Sequence, residues 1–487
     1  MNIFYINIKS IFLINITNNY NIKLFMSFLN ELSDLLDILD VLEFEDEPSI
    51  LDENSALELL ESAFYLMEDY MNENPAAISE PDFEEILLED VKEIFYVQFE
   101  EEILTSEWVE DDINELLEEA FNIFITTFYP ERSLNTDQIQ MNITVSDKND
   151  KNKIIHDKIE YLKQKPQPEQ RTDEWYKFRH NLITASNAYK AFESQNTINQ
   201  LIYEKCQPLK NKEDDKNKMV NINTPFHWGQ KYEPLSVMLY ENMYNTKVDD
   251  FGCIQHSHYA FLGASPDGIN VDVNSERYGR MLEIKNIVNR EITGIPKKEY
   301  WVQMQMQMEV CDLDECDFLE TKFVEYENSD LFFNELKKDE EKDHNKNVLD
   351  TKGLILYFHN SKEAKPFYVY KPLNIVNRYD ILKWEEENIE LYQSPEKNLL
   401  YIQTIYWKLE KLSCVFVPRN KGWFESNIKA LENVWKIIET ERVTGYDHRA
   451  PNKKMKYTAA CDNTNKIDSY FTSNTKNGCL IKIYKIL

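Results

Sequence analysis

Three residues in one short stretch are of types that do chemistry together. The segment Phe261–Lys285 reads FLGASPDGINVDVNSERYGRMLEIK, with Asp267 in a Ser-Pro-Asp-Gly turn and Glu283-Ile284-Lys285 closing an apolar run. Side chains alternate along a strand, so Glu283 and Lys285 share one face and Ile284 takes the other. Two carboxylates and an amine meeting on adjacent strands form a site for Mg2+ or Mn2+, one or two ions, which take oxygen ligands and keep several waters. Asp267 and Glu283 are the candidate metal-binding carboxylates, and the carbonyl of Ile284 is a third oxygen. Lys285 is placed to orient an attacking water or to stabilise developing negative charge. Glu233, on an expected helix at 227–244, is a third carboxylate for a second ion or its waters. The reaction that needs this set is phosphodiester hydrolysis, where a water must be activated and phosphate charge neutralised. An Asp and a Glu-x-Lys alone are a weak signal, since such triples arise by chance in many chains.

The elements that must position these residues read as an α/β core. Gln170–Phe192 reads QRTDEWYKFRHNLITASNAYKAF, a helix with Trp175, Phe178, Leu182 and Ile183 on one face and Arg179 one turn beyond Trp175. Thr184 is placed to cap a second helix. Amides at a helix start, a hydroxyl and an arginine suit a terminal phosphate, although an arginine at such a place is more often a structural ion-pair partner. Short strands are expected at Phe251–Cys253, Tyr259–Gly263 and Met281–Ile284. A helix at Lys297–Cys311 carries Gln303, Gln305 and Gln307. Strands follow at Asp317–Tyr326, Leu354–Phe358 and Phe367–Tyr370, a charged loop at 336–347, and helices at 374–393 and 425–442. This order predicts a mixed central sheet flanked by helices.

At 487 residues, 42% hydrophobic and 13% aromatic, the chain can build two or three packed domains. Its net charge of -32 argues against a nucleic-acid partner until the charge is located. Residues 26–132 hold 33 acidic side chains against 2 basic ones, so the rest is near neutral. That segment shows helical stripes, among them Leu57, Leu59, Leu60, Phe64 and Met67, and Ile86, Leu87, Val91, Ile94 and Phe95. It reads as a bundle of four or five helices whose acids are a solvated face, a partner-binding module or a DNA mimic covering a basic groove. Residues 1–25 read as a leader or disordered tail, 133–169 as a polar linker, 170–445 as the catalytic domain with C-terminal helices, and 446–487 as a tail. The seven cysteines form no C-x-x-C pair, which argues against a zinc ribbon and an iron–sulfur cluster and suits a reducing, intracellular compartment. No run of about 18 uninterrupted apolar residues marks a membrane span, and no glycine-rich phosphate loop indicates a motor. His256 and His258 alternate on an expected strand but lack a third zinc ligand nearby.

Five motifs in order between about 170 and 326 resemble the lambda-type exonucleases, or YqaJ-like viral recombinase nucleases, of the PD-(D/E)XK superfamily. They are the Trp/Arg helix running into Ile-Thr-Ala-Ser (Asp173–Ser186), Trp-Gly-x-x-Tyr-Glu (Trp228–Glu233), Ser-Pro-Asp-Gly (Ser265–Gly268), Leu-Glu-Ile-Lys (Leu282–Lys285) and Tyr-x-x-Gln-x-Gln-x-x-Met (Tyr300–Met308). The resemblance implies a restriction-endonuclease-like core, to which the acidic segment read above adds an all-α domain. It implies metal ligation by Asp267 and Glu283, catalytic roles for Lys285, Glu233 and Gln303, and a DNA 5′-phosphate pocket of Arg179, Ser186 and Ser265. The implied activity is Mg2+-dependent 5′-to-3′ digestion of duplex DNA ends in viral recombination, repair or replication. An annealing recombinase is an implied partner, and host cytoplasm, nucleus or virion the implied location. Arg171 and His180-Asn181 depart from the usual family residues, and the acidic bundle and long C-terminal extension have no counterpart in minimal phage enzymes. Oligomeric state and exo- versus endonuclease action therefore stay open. In the tail, Ile467, Tyr470 and Phe471 follow Thr464 in the spacing of a sliding-clamp-binding box; a terminal element packing on the body reads the same way. The alternative reading of the whole chain is a non-catalytic DNA-end or partner-binding protein on a nuclease fold, or a virion component.

Overall fold

The computed structural model describes residues 53–451 except 101–102, 104–109, 129–131, 136–144, 169, 171, 210–220, 341–350, 361, 363–364 and 394–395. The expected leader, the first part of the acidic segment and the clamp-box residues lie outside the described residues.

Three helices, α1 (Glu53–Glu73), α2 (Phe83–Gln98) and α3 (Glu110–Phe128), open the described chain. Leu59, Phe64, Met67, Leu87, Val91, Phe95, Leu117 and Phe124 are buried among them, while Ile94 of the expected stripe is 47% exposed. Their core is continuous with that of the following sheet domain. Arg132 fastens the junction: its Nη2 donates to the carbonyls of Ser79 (3.0 Å) and Pro296, and its own carbonyl accepts from Trp301 Nε1 at 2.9 Å.

Part of the expected linker is helical. After β1 (Leu134–Asn135), α4 spans Val145–Gln164. Polar composition hides a narrow stripe at i, i+4, i+7: Ile155 packs against the core, and Ile159 and Leu162 are buried. Ile155 sits against Gly279, where φ is +81° and an added Cβ would lie 2.3 Å from Ile155 Cγ2, so a side chain there would be strained.

The elements that carry the site follow. They are α5 (Asp173–His180), β2 (Ile183–Thr184), α6 (Ala185–Ala188), α7 (Gln195–Cys206), α8 (Pro225–Tyr244), β3 (Val248–Asp249), β4 (Ile254–Gln255), β5 (Leu262–Ala264), β6 (Gly268–Asn270), β7 (Met281–Asn286), α9 (Lys298–Cys311) and β8 (Glu315–Glu325). Beyond them lie α10 (Ser329–Glu340), β9 (Lys352–Asn360), β10 (Lys365–Tyr370), α11 (Arg378–Tyr392), β11 (Leu399–Pro418) and α12 (Lys421–Thr444). The large sheet runs β10-β9-β11-β8-β7-β6-β3, with β1 on β11; β7 and β8 are parallel and the other pairs antiparallel. A small sheet, β2-β5-β4, carries the turn into Ser265. The expected mixed α/β core is therefore present.

Three local expectations are corrected. Phe251–Cys253 is not a strand; pairing begins at Ile254. Residues 336–340 of the expected loop continue α10, because Phe332, Phe333 and Leu336 bury one face. The 20-residue β11, which pairs with β8 and β9, went unread. Register shifts at Tyr401/Gln403 and Leu409/Lys411 break its period-2 alternation, so no clean strand signal survives in the sequence.

Candidate active site

Strand β7 separates two environments. Leu282 and Ile284 point to one face, where they pack with Tyr240 of α8 and Leu319 of β8. Glu283 points to the other, under α9, and is fully buried. Gln303 and Gln307 of α9, one turn apart, donate to its two oxygens: Gln303 Nε2 to Oε1 and Gln307 Nε2 to Oε2, each at 2.7 Å. Lys285 also pairs with Oε1. Asp267 enters from the turn before β6, and its Oδ2 accepts the backbone N–H of Ile284 at 2.7 Å. Gly268 allows this approach, since a Cβ there would lie 2.2 Å from Val248 Cγ1.

The charges do not balance. Burial and the carboxylates of Glu283 and Glu233 hold the Asp267 carboxyl well above the usual range, against the opposing pull of Lys285 and the Ile284 amide. Burial acts to lower the Lys285 ammonium, but Glu283 and Asp267 outweigh it and raise it above the ordinary lysine range. Asp267 and Glu283 thus share one amine, and Glu233 adds further negative charge beside Asp267. Among the described residues no three His, Cys, Asp or Glu side chains are set as a ready-made metal cage, and the oxygens of Glu283 are occupied by Lys285, Gln303 and Gln307. The donor set itself, carboxylate oxygens in excess of cationic charge, suits a hard divalent cation.

The second half of the site adjoins the first. One cleft of about 180 Å³ is lined by Arg179, Ser186 and Ser265 together with Glu233, Asp267 and Gln303, and also by Gln170, Trp175, Thr184, Ala185 and Asp250. Arg179 Nη1 donates to Ser265 Oγ at 3.3 Å, and its guanidinium lies 4.5 Å from the Trp175 ring centroid. Thr172 caps α5 by accepting from Trp175 N. Thr184 occupies the cap position of α6 without capping it; its hydroxyl meets Ser186 Oγ at 3.3 Å. Lys205 braces the same helix end by donating to the carbonyl of Arg179 at 2.9 Å, and burial beside Arg179 and Arg442 pushes its ammonium down to about 8.

Sequence reading missed Gln307, Asp250 and Lys205 as site residues. The Gln-x-Gln-x-Gln run contains the signal for the first. At 100° per residue Gln303 and Gln307 share a face, whereas Gln305 turns away, donating to the carbonyl of Pro418 at 2.9 Å and accepting from Asn420 N at 2.7 Å. Gln307 also donates to the carbonyl of Ser265 at 3.2 Å, so one amide touches both halves of the cleft. His256 does not act with His258 as a pair of ligands. Its Nδ1 accepts the backbone N–H groups of His258 (2.9 Å) and Tyr259 (3.1 Å), fixing the turn after β4.

Residues 174–314 match the family model of the YqaJ-like viral recombinase domain. Over 313 residues, 58% of its length, the chain is 31% identical to an uncharacterized protein of Acanthamoeba polyphaga mimivirus, and it spans about half (54%) of that relative. Among solved structures, the alkaline exonuclease LHK-Exo from Laribacter hongkongensis is 18% identical, covering 57% of this chain and 95% of that one at a TM-score of 0.28. Its complex with dAMP aligns with a TM-score of 0.30. No helix among the described residues is long and apolar enough to cross a membrane. The segment from residue 174 to residue 314, which holds the carboxylates, the lysine and the arginine described above, is the part of the chain that matches the YqaJ-like viral recombinase domain.

Proposed function

We propose that the protein is a divalent-metal-dependent deoxyribonuclease that digests duplex DNA from 5′-phosphorylated ends, in recombination, repair or replication of a viral replicon. The observation that carries this reading is the single cleft joining Arg179, Ser186 and Ser265 to Glu233, Asp267 and Gln303. A terminal phosphate held at one end would leave the first phosphodiester near the carboxylates at the other. Asp267, Glu283 and the carbonyl of Ile284 would hold Mg2+ or Mn2+, with Glu233 as a further carboxylate. The ion supplies charge neutralisation at the scissile phosphate and a more acidic water. Lys285, kept cationic by its carboxylate neighbours, orients the water or meets charge developing on the phosphate. Gln303 and Gln307 hold Glu283 in one rotamer with both oxygens solvated by amides. Arg179 presents a cation to the terminal phosphate, steadied by stacking on Trp175.

The test is digestion of end-labelled linear duplexes in Mg2+, with and without a 5′-phosphate. Mononucleotide release from phosphorylated ends, weakened for 5′-hydroxyl ends, is the expected result. Metal binding without any cleavage would favour a DNA-end-binding role instead. An annealing recombinase and a processivity clamp remain proposals for partners, the latter through Ile467, Tyr470 and Phe471. A peptide spanning 461–476 tests the clamp directly by titration.

A further inference from the structure

A second cleft, of about 860 Å³, opens where the acidic helices meet the sheet domain. Its apolar wall is Phe121, Ile125 and Ile295, the last 51% exposed. Its rim is Asp82, Glu84 and Glu85, all exposed. At its base lies Arg132, only 7% exposed. The Nη2 of this arginine is taken by the carbonyls of Ser79 and Pro296, whereas Nε and Nη1 are buried without an acceptor among the described residues. Buried guanidinium nitrogens without acceptors cost stability, and Glu80, which acts on Arg132 electrostatically, is engaged with Lys298 at 2.7 Å.

We infer that this cleft binds a peptide segment of another protein, one that combines lysine or arginine with aliphatic side chains. Each part of the cleft selects a part of such a ligand. The Arg132 guanidinium at the base favours backbone carbonyls, the acceptors that Nη2 already holds. The acids on the rim take the basic side chains. The apolar wall takes the aliphatic ones. Nucleic acid is disfavoured by the same rim, because its phosphates would face three carboxylates. The loop that carries Ile295 and Pro296 leads directly into α9, so a bound segment would lie beside the helix that holds Glu283.

The experiment uses the full chain and a fluorescein-labelled 12-residue peptide alternating lysine and leucine, followed by anisotropy. The whole chain is acidic, so specificity rests on paired variants. Binding should fall at least tenfold in the triple variant Asp82→Lys, Glu84→Lys, Glu85→Lys, and several-fold in Ile295→Asp. It should be unchanged in the control variant Glu386→Lys, Glu387→Lys, Glu390→Lys, whose exposed acids lie on α11. All three variants alter surface positions and should keep wild-type circular dichroism and DNA cleavage. No binding by 100 µM peptide, or an equal loss in the α11 control, overturns the proposal. Concentration-dependent self-association abolished by the 82/84/85 variant would place a second copy of this chain there and overturn it as well.

Discussion

Strand β7 and its parallel neighbour β8 carry buried acids on opposite faces, and the two are treated differently. On the α8 face Asp317 is fully buried and saturated: Arg277 pairs with Oδ2, Arg280 Nη1 with Oδ1 at 3.1 Å, and Tyr240 Oη donates to Oδ2 at 2.6 Å. Tyr244 covers Arg277 with its ring centroid 3.4 Å away. On the α9 face Asp267 and Glu283 share one lysine, and Glu233 of α8 adds to the negative charge felt by Asp267. A structural acid is neutralised by its own fold, since an unpaired buried charge is too costly to keep. A chemical site is left short of positive charge, and the shortage is what a cation and a phosphate-bearing substrate would meet. Two clusters on neighbouring strands can thus be told apart by charge balance, where burial alone would rank them together.

The sharpest way to break this comparison is to remove one acid or amine from each side. Asp267→Ala and Lys285→Ala should each lower DNA cleavage, corrected for the folded fraction, about 10³-fold, in line with loss of transition-state charge stabilisation, while circular dichroism shows the fold retained. Asp317→Ala should do the reverse, costing about 3–5 kcal/mol of stability by stranding two buried guanidinium groups. Its cleavage, corrected for the folded fraction, should be preserved; a specific loss of turnover in well-folded Asp317→Ala would erase the distinction.

Gln307→Leu tests whether one amide coordinates both halves of the cleft. A loss of about 10- to 100-fold in turnover is expected, as for residues that orient metal-binding groups. Preference for 5′-phosphate over 5′-hydroxyl ends should shrink with it, because the carbonyl of Ser265 loses its donor. Gln305→Leu, on the opposite face of α9, should affect stability and leave that preference intact. Arg179→Ala should lower the preference about tenfold through the loss of a charge-assisted contact, measured as kcat/KM on the two substrates.

The smallest effect concerns metal-free stability. The folded-state carboxyl of Asp267 sits above its unfolded value, so the native state binds that proton more tightly. The associated stability is present at low pH and is lost as pH rises through the raised folded value. Metal-free Asp267→Asn should therefore melt about 2 °C higher than wild type at pH 8. Mn2+ should raise the wild-type midpoint and leave the variant unmoved. A metal-free wild type that melts higher than Asp267→Asn at pH 8 would contradict the charge shortage.

Much of this architecture was legible in residue order. Asp267, Glu283 and Lys285 stood out because a turn of Ser-Pro-Asp-Gly and a strand reading Leu-Glu-Ile-Lys each fix local geometry. The helices α8 and α9 were legible from apolar spacing, whereas Leu182 and Ile183 of the stripe read for α5 lie beyond its end and the cap expected at Thr184 does not form. Other features depended on contacts distant in sequence. The helicity of α4 is set by Ile159 and Leu162 meeting a core that a polar segment does not announce. The long β11 is a strand because β8 and β9 flank it, across two irregularities that scramble its pattern.

The sequence alone determined which chemical groups are available and which of them alternate onto one face, because rotation per residue is a property of the local backbone. Tertiary structure decided the rest. It placed the arginine of α5, Glu233 of α8 and Asp267 from the turn before β6 around one cleft and assigned two of three glutamines to Glu283. It also gave Asp317 two arginines while leaving Asp267 none. Charge balance at a buried point is a sum over elements far apart in the chain, and only their packing makes that sum definite.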